Sequence, residues 1–124
     1  MDLTKLRALE MPSKEIEVEI LGELQRTTIA SLPDNVAVRV MAMREIHGDD
    51  PELATIVIRE ILLAGAKELT PEDVDLLVAR DFAAAAKIAA EIRDLTSQHR
   101  KAMDELRETA RKNLQAAGLE SVKV

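Results

Sequence analysis

Between Phe82 and Ala117 the chain contains neither proline nor glycine. The stretch opens with strong helix formers, Ala83, Ala84, Ala85, Ala86, Ala89 and Ala90. At about 1.5 Å per residue, a continuous helix over this span would reach ~50 Å. The whole chain has 124 residues, and a compact domain of that length has a radius of gyration of only ~14 Å. The second half of such a helix must therefore project from the body or break. Thr96-Ser97-Gln98-His99 has the weakest helix propensity and is the expected hinge. Gly118 is the expected stop, and the tail to Val124 is expected to fray.

Apolar residues recur along this stretch at helical spacing. Ile88, Ile92, Leu95, Met103, Leu106, Ala110 and Leu114 follow at steps near three and four, with one gap of eight that holds His99 on the same stripe. A small core cannot satisfy an apolar stripe on an overlong helix. The stripe is expected to meet another helix, from a second copy or from a partner. Phe82, Ile88, Ile92, Leu95, Met103, Leu106 and Leu114 are accordingly the expected partner-binding residues. The alanines allow a second helix to approach closely. Met41, Met43 and Met103 add deformable apolar surface.

Upstream, Glu15-Ile16-Glu17-Val18-Glu19-Ile20 alternates strictly, which predicts a half-buried strand with its glutamates in water. Leu21-Gly22-Glu23 is the expected turn, and Leu24 to Ile29 the returning strand. An isolated hairpin is marginal in water, so this one must pack on helices. Three helix starts follow. Ser31-Leu32-Pro33-Asp34 places a capping serine ahead of an early proline and opens a helix to about Ile46, with Val36, Val40, Met43 and also Met41 inward. Gly48 ends it. Asp50-Pro51-Glu52 opens a second helix, with Leu53, Ile56, Val57, Ile61 and Leu62 on its apolar face. Ile58 and Leu63 widen that face, which marks the helix as central. Thr70-Pro71-Glu72-Asp73 opens a short helix carrying Val74, Leu77 and Val78. Asp81 can cap the last helix. The expected fold is mainly α (α+β): an N-terminal β-hairpin, a small helical bundle and a long C-terminal helix. We divide it into an N-terminal segment, 1–12, with Leu3, Leu6 and Leu9 on one side of a short helix capped by Asp2; a hairpin-plus-helical domain, 13–95; and a helical extension with its tail, 96–124.

Chemistry is sparse. The chain lacks cysteine, tryptophan and tyrosine, which excludes disulfides, thiolate sites and an aromatic platform for single-stranded nucleic acid. The two histidines, His47 and His99, have no ligand neighbours at helical spacing, so no metal or cofactor is expected. No serine sits in a nucleophile elbow, and the four glycines are too dispersed for a phosphate loop. No catalytic residue is assigned, and the expectation is a non-enzyme. The formal charge is −6, which disfavours nucleic acid. Residues 93–124 run the other way, with 7 basic against 5 acidic groups. There is no apolar run long enough for a membrane span and no secretory pattern at the N-terminus, so a cytosolic protein is expected.

Three features together resemble the phage tail assembly chaperones: the acidic strand pair at Lys14 to Ile20; a helix followed by Leu69-Thr70-Pro71-Glu72-Asp73-Val74-Asp75-Leu76-Leu77; and Arg80-Asp81-Phe82 opening an apolar helix through Ile88, Ile92 and Leu95. The likeness covers residues 13–96. It implies a non-enzymatic protein that self-associates and shields the hydrophobic, helical tape measure protein until the tail tube polymerises. The helix beyond Ser97 departs from the shortest members of that family. The residues themselves also allow a small dimeric regulator or antitoxin-like protein that binds DNA or a toxin, with Arg100, Lys101, Arg107, Arg111 and Lys112 carrying the DNA contact, or a structural adaptor of the virion.

Overall fold

The structure, a computed structural model, describes residues 12–47 and 50–118. The N-terminal segment through Met11, the stop at Gly48 and the tail after Gly118 lie outside the described residues. A two-stranded antiparallel hairpin, β1 (Ser13–Ile20) and β2 (Glu23–Ala30), precedes four helices. These are α1 (Asp34–His47), α2 (Pro51–Gly65), α3 (Pro71–Arg80) and α4 (Phe82–Ala116). The fold is mainly α, with an N-terminal hairpin and a long C-terminal helix.

The hairpin follows its alternation. Ile20 faces Glu23 across a two-residue connection, and the register continues to Ser13 opposite Ala30. Leu21 and Gly22 both take positive φ, 51° and 84°. That pattern belongs to the turn whose twist matches right-twisted strands. Glycine adopts it freely, whereas Leu21 is strained there. Asp81 Oδ2 accepts the Leu21 N–H at 2.8 Å and ties the hairpin tip to the start of α4. Glu15, Glu17 and Glu19 are exposed, and Arg26 bridges the first two at 3.6 and 3.2 Å. On the other face Val18 is buried and Ile16 and Ile20 pack against the core.

Helix starts carry the expected chemistry at three of four positions. Asp50 accepts the Glu52 N–H at 3.0 Å. Thr70 and Asp73 exchange side-chain and backbone bonds, both 3.1 Å, in a reciprocal capping box. Asp81 Oδ1 accepts the Ala84 N–H at 3.2 Å. Ser31 does not cap α1, which corrects the expectation. Its N–H extends the ladder to the Pro12 carbonyl at 2.8 Å, which draws it into the sheet and buries it. Helix α1 begins instead at the Pro33 carbonyl, which accepts from Val36 and Ala37.

The core lies between the hairpin, α2 and the first half of α4. Ile29, Ile61, Leu62, Val74, Ile88 and Ile92 are fully buried. Burying each such side chain stabilises the fold by roughly 1.5–3 kcal/mol. Helix α2 is central and touches α1, α3, α4 and β2. Gly65, at its end, allows the closest approach. A Cβ there would meet Ile92 Cγ2 at 2.6 Å and the Ala30 carbonyl at 2.9 Å. Ala84, Ala85 and Ala89 are buried, so the alanine run serves contacts inside the subunit. Ion pairs tie the helices at the surface: Arg39 to Glu60 at 2.9 Å and Arg59 to Asp75 at 2.7 Å. Two inward expectations are corrected: Ile56 is 50% and Met41 53% exposed.

Candidate partner-binding surface

Helix α4 runs unbroken for 35 residues. The expected hinge at 96–99 is helical, for a reason that lies outside the helix. Thr96 is buried, donates its hydroxyl to the Ile92 carbonyl at 2.8 Å and accepts the Leu32 N–H at 2.8 Å. A weak helix former is thus fixed by the linker between β2 and α1. Of the two outcomes open to an overlong helix, projection is the one adopted. Every residue from Lys101 to Gly118 is exposed. The exposed part of the helix extends for about 24 Å at its regular rise.

The expected partner residues divide along this helix. Ile88 and Ile92 are 0% exposed, so their assignment to a partner is corrected. Both belong to the core, and Ile92 lies against Gly65. Leu95 is half-buried at the rim of that core. Phe82 is 44% exposed but stands at the opposite end of α4, beside the Asp81 tether. It lies ~30 Å along the axis from Met103 and cannot share a surface with it. Met103, Leu106 and Leu114 remain, exposed by 36%, 63% and 48%. At about 100° per residue they lie on the same side of α4 as Ile88 and Ile92. One stripe therefore has a covered half and an open half.

Helix α1 lines clefts together with this part of α4. Its floor residues Ala37 and Val40, with Leu32 and Met41, face α4 from Arg93 to Glu108 across an open cleft of about 870 Å³. Arg100 reaches over this cleft, with Nη1 3.4 Å from Met41 Sδ. A second cleft of about 430 Å³ sets Pro33 and Val38 against His99 and Met103. Val38 is 56% exposed. The α4 wall of the larger cleft is polar and charged, and in the smaller one Val38 of α1 and Met103 of the α4 stripe stand on opposing walls, where an apolar side chain of a partner helix could enter. Val38 carries no signal in the sequence, and Met41 is expected there on the inner face.

Charges on the projecting half are largely paired with one another. Arg107 bonds Asp104 at 3.2 Å and Arg111 bonds Glu108 at 2.6 Å. The Arg111 hydrogen bond, with its charge, holds the Glu108 carboxyl below the usual range. The basic residues offered for DNA are interleaved with carboxylates and do not form a uniform cationic face. Among the described residues no group of three or more His, Asp or Glu side chains is placed to hold a metal ion. Among them no helix is long and apolar enough to cross a membrane. Comparison with known protein families, with curated proteins and with solved structures finds no match.

Proposed function

We propose that this protein is a non-enzymatic chaperone of phage tail assembly, which binds and shields the hydrophobic helical tape measure protein. The observation that carries the reading is the uncovered half of the α4 stripe, Met103, Leu106 and Leu114, of which Met103 faces the exposed Val38 of α1 across a cleft. A subunit with this surface gains by covering it. At ~25 cal/mol per Å², enclosing ~400 Å² of apolar area is worth ~10 kcal/mol gross, reduced by ordering on both sides. Many weak contacts of this type hold a client without ATP and yield to a competing polymer, the tube subunit. The net charge of −6 would keep the coated complex in solution. The acidic hairpin and the Leu69–Leu77 and Arg80–Phe82 turns, which resemble that family, support the same reading. Self-association through the projecting helix and a cytoplasmic site of action belong to it.

The test is light scattering after size exclusion, with the protein alone and with an amphipathic tape measure fragment. The reading expects a homo-oligomer or a client-dependent rise in mass. A strict monomer that ignores the fragment refutes it. A salt-sensitive shift of duplex DNA would favour the regulator instead.

A further inference from the structure

We infer that the outer edge of β1 is a docking site for an extended segment of another protein, one with lysine or arginine at alternate positions. The register defines this edge. Ile20 pairs with Glu23 across the two-residue turn, and the pairing continues through Val18 and Gln25, Ile16 and Thr27, and Lys14 and Ile29. In an antiparallel ladder closed by such a turn, these even positions exchange N–H and C=O bonds with β2. The Ser31 N–H, which donates to the Pro12 carbonyl, keeps the same parity. The backbone groups of Ser13, Glu15, Glu17 and Glu19 therefore point away from β2, and all four residues are exposed. Among the described residues nothing bonds to these outward N–H and C=O groups. The next odd amide, that of Leu21, is already taken by Asp81 Oδ2 at 2.8 Å. The opposite edge of the hairpin is partly engaged, because the Thr28 carbonyl accepts the Lys67 N–H at 3.3 Å and Ile29 bridges Ala66. The sheet can grow only at β1.

The open strand is eight residues long, with no proline and an unbroken register. A row of this kind is a template for another strand. Charge selects the occupant. A second copy of β1 is excluded by its own glutamates. Every antiparallel register that pairs three or more of the outward positions sets glutamate directly against glutamate, and like charges so placed repel. Arg26, on β2, reaches Glu15 and Glu17 at 3.6 and 3.2 Å, and among the described residues Glu19 has no ion pair. Lys14 lies on the other face of the strand, held by Glu91 at 3.3 Å, and does not oppose a basic partner. On an added strand, lysine or arginine at alternate positions would stand opposite all three glutamates while the main chain completes the ladder. This surface shares no residue with the α4 stripe, so the inference does not depend on the helical client.

The probe is a synthetic peptide of alternating lysine and valine, added to the full-length protein labelled for amide NMR. At saturation, exchange should slow at least about tenfold at the Glu15, Glu17 and Glu19 amides, which gain acceptors, and stay nearly unchanged at Ile16 and Val18, which already have them. The same peptide N-methylated on its lysine amides keeps the charge but cannot donate to the edge, and it should bind at least about tenfold more weakly. The Glu15→Gln/Glu17→Gln/Glu19→Gln variant should lose about tenfold in affinity for the unmethylated peptide, the combined effect of three cross-strand charge pairs. Unprotected glutamate amides at saturation, or equal affinity for the methylated peptide, would overturn docking as a strand. Unchanged affinity in the glutamine variant would overturn selection by charge. Protection of these amides that grows with protein concentration alone would make the occupant a second copy and overturn the inference as well. The peptide comparison uses the parent protein, so it stands even where the triple variant fails to fold. No arm contains the tape measure fragment, so failure here leaves the chaperone reading standing.

Discussion

Thr96→Val removes one hydroxyl while keeping the shape of the side chain. Thr96 is buried, and its hydroxyl is the acceptor for the Leu32 N–H at 2.8 Å. Its own donation to the Ile92 carbonyl is redundant, because that oxygen also closes a regular turn of α4. The loss is therefore concentrated on one amide. A buried N–H stripped of its acceptor costs about 1–3 kcal/mol, and the added methyl returns under ~1 kcal/mol. We expect a net loss of about 2 kcal/mol, which lowers the melting temperature by roughly 6–10 °C for a domain of this size. Thr96→Ser retains the hydroxyl and should lose only about 1 kcal/mol, through its missing methyl. Thermal unfolding gives the magnitude. Amide exchange at Leu32, accelerated in Thr96→Val and not in Thr96→Ser, gives the place. A valine variant at least as stable as the serine variant would refute the view that this bond holds α1 against α4.

Gly65→Ala should destabilise by about 2–3 kcal/mol in denaturant titration, because the new Cβ strikes Ile92 Cγ2 at 2.6 Å and a backbone carbonyl at 2.9 Å. Ordinary stability would mean that α2 and α4 slide apart easily. Leu21→Asn should stabilise by about 1 kcal/mol, since asparagine tolerates the φ of 51° at the hairpin tip. A loss instead would show that the Leu21 side chain makes a contact of its own. The hydrogen bond from Arg59, with its charge, holds the Asp75 carboxyl below its usual range. A lowered carboxyl adds stability above its ordinary pKa, and that contribution fades as pH falls through the folded value. Asp75→Asn should therefore be slightly less stable than the parent at neutral pH. The two melting curves should converge once acid has protonated the carboxyl, and a gap that persists there would exclude the ion pair as its source.

Local signals were readable wherever local chemistry decides the outcome. The Glu15–Ile20 alternation, the Asp50 and Thr70 caps and the Asp81 start each depend on a few neighbouring residues, and each stands as expected. The failures share a different cause. Ser31 has every property of a cap, but ladder pairing with Pro12 claims its backbone, and no local pattern reports that pairing. Thr96 looks like the weak point of α4 until Leu32 arrives from 64 positions away. Helix α2 holds more apolar residues than one face can bury, so tertiary packing leaves Ile56 outside. The same reasoning divides the candidate site. Periodicity places Ile88, Ile92, Met103, Leu106 and Leu114 on one face of one helix. It cannot say where along that face the core stops. That boundary is set by where the hairpin and α2 end, and it falls between Leu95 and Met103.

The open part of the stripe can be tested without disturbing the covered part, because Leu106 and Leu114 are exposed by 63% and 48%. The decisive measurement is calorimetric titration of the Leu106→Asp/Leu114→Asp variant with the tape measure fragment, alongside its melting temperature. The account predicts an unchanged melting temperature and an affinity weakened by at least about thirtyfold, the loss of roughly 2 kcal/mol of apolar burial. Full affinity in a folded double variant would place the working surface of this protein elsewhere.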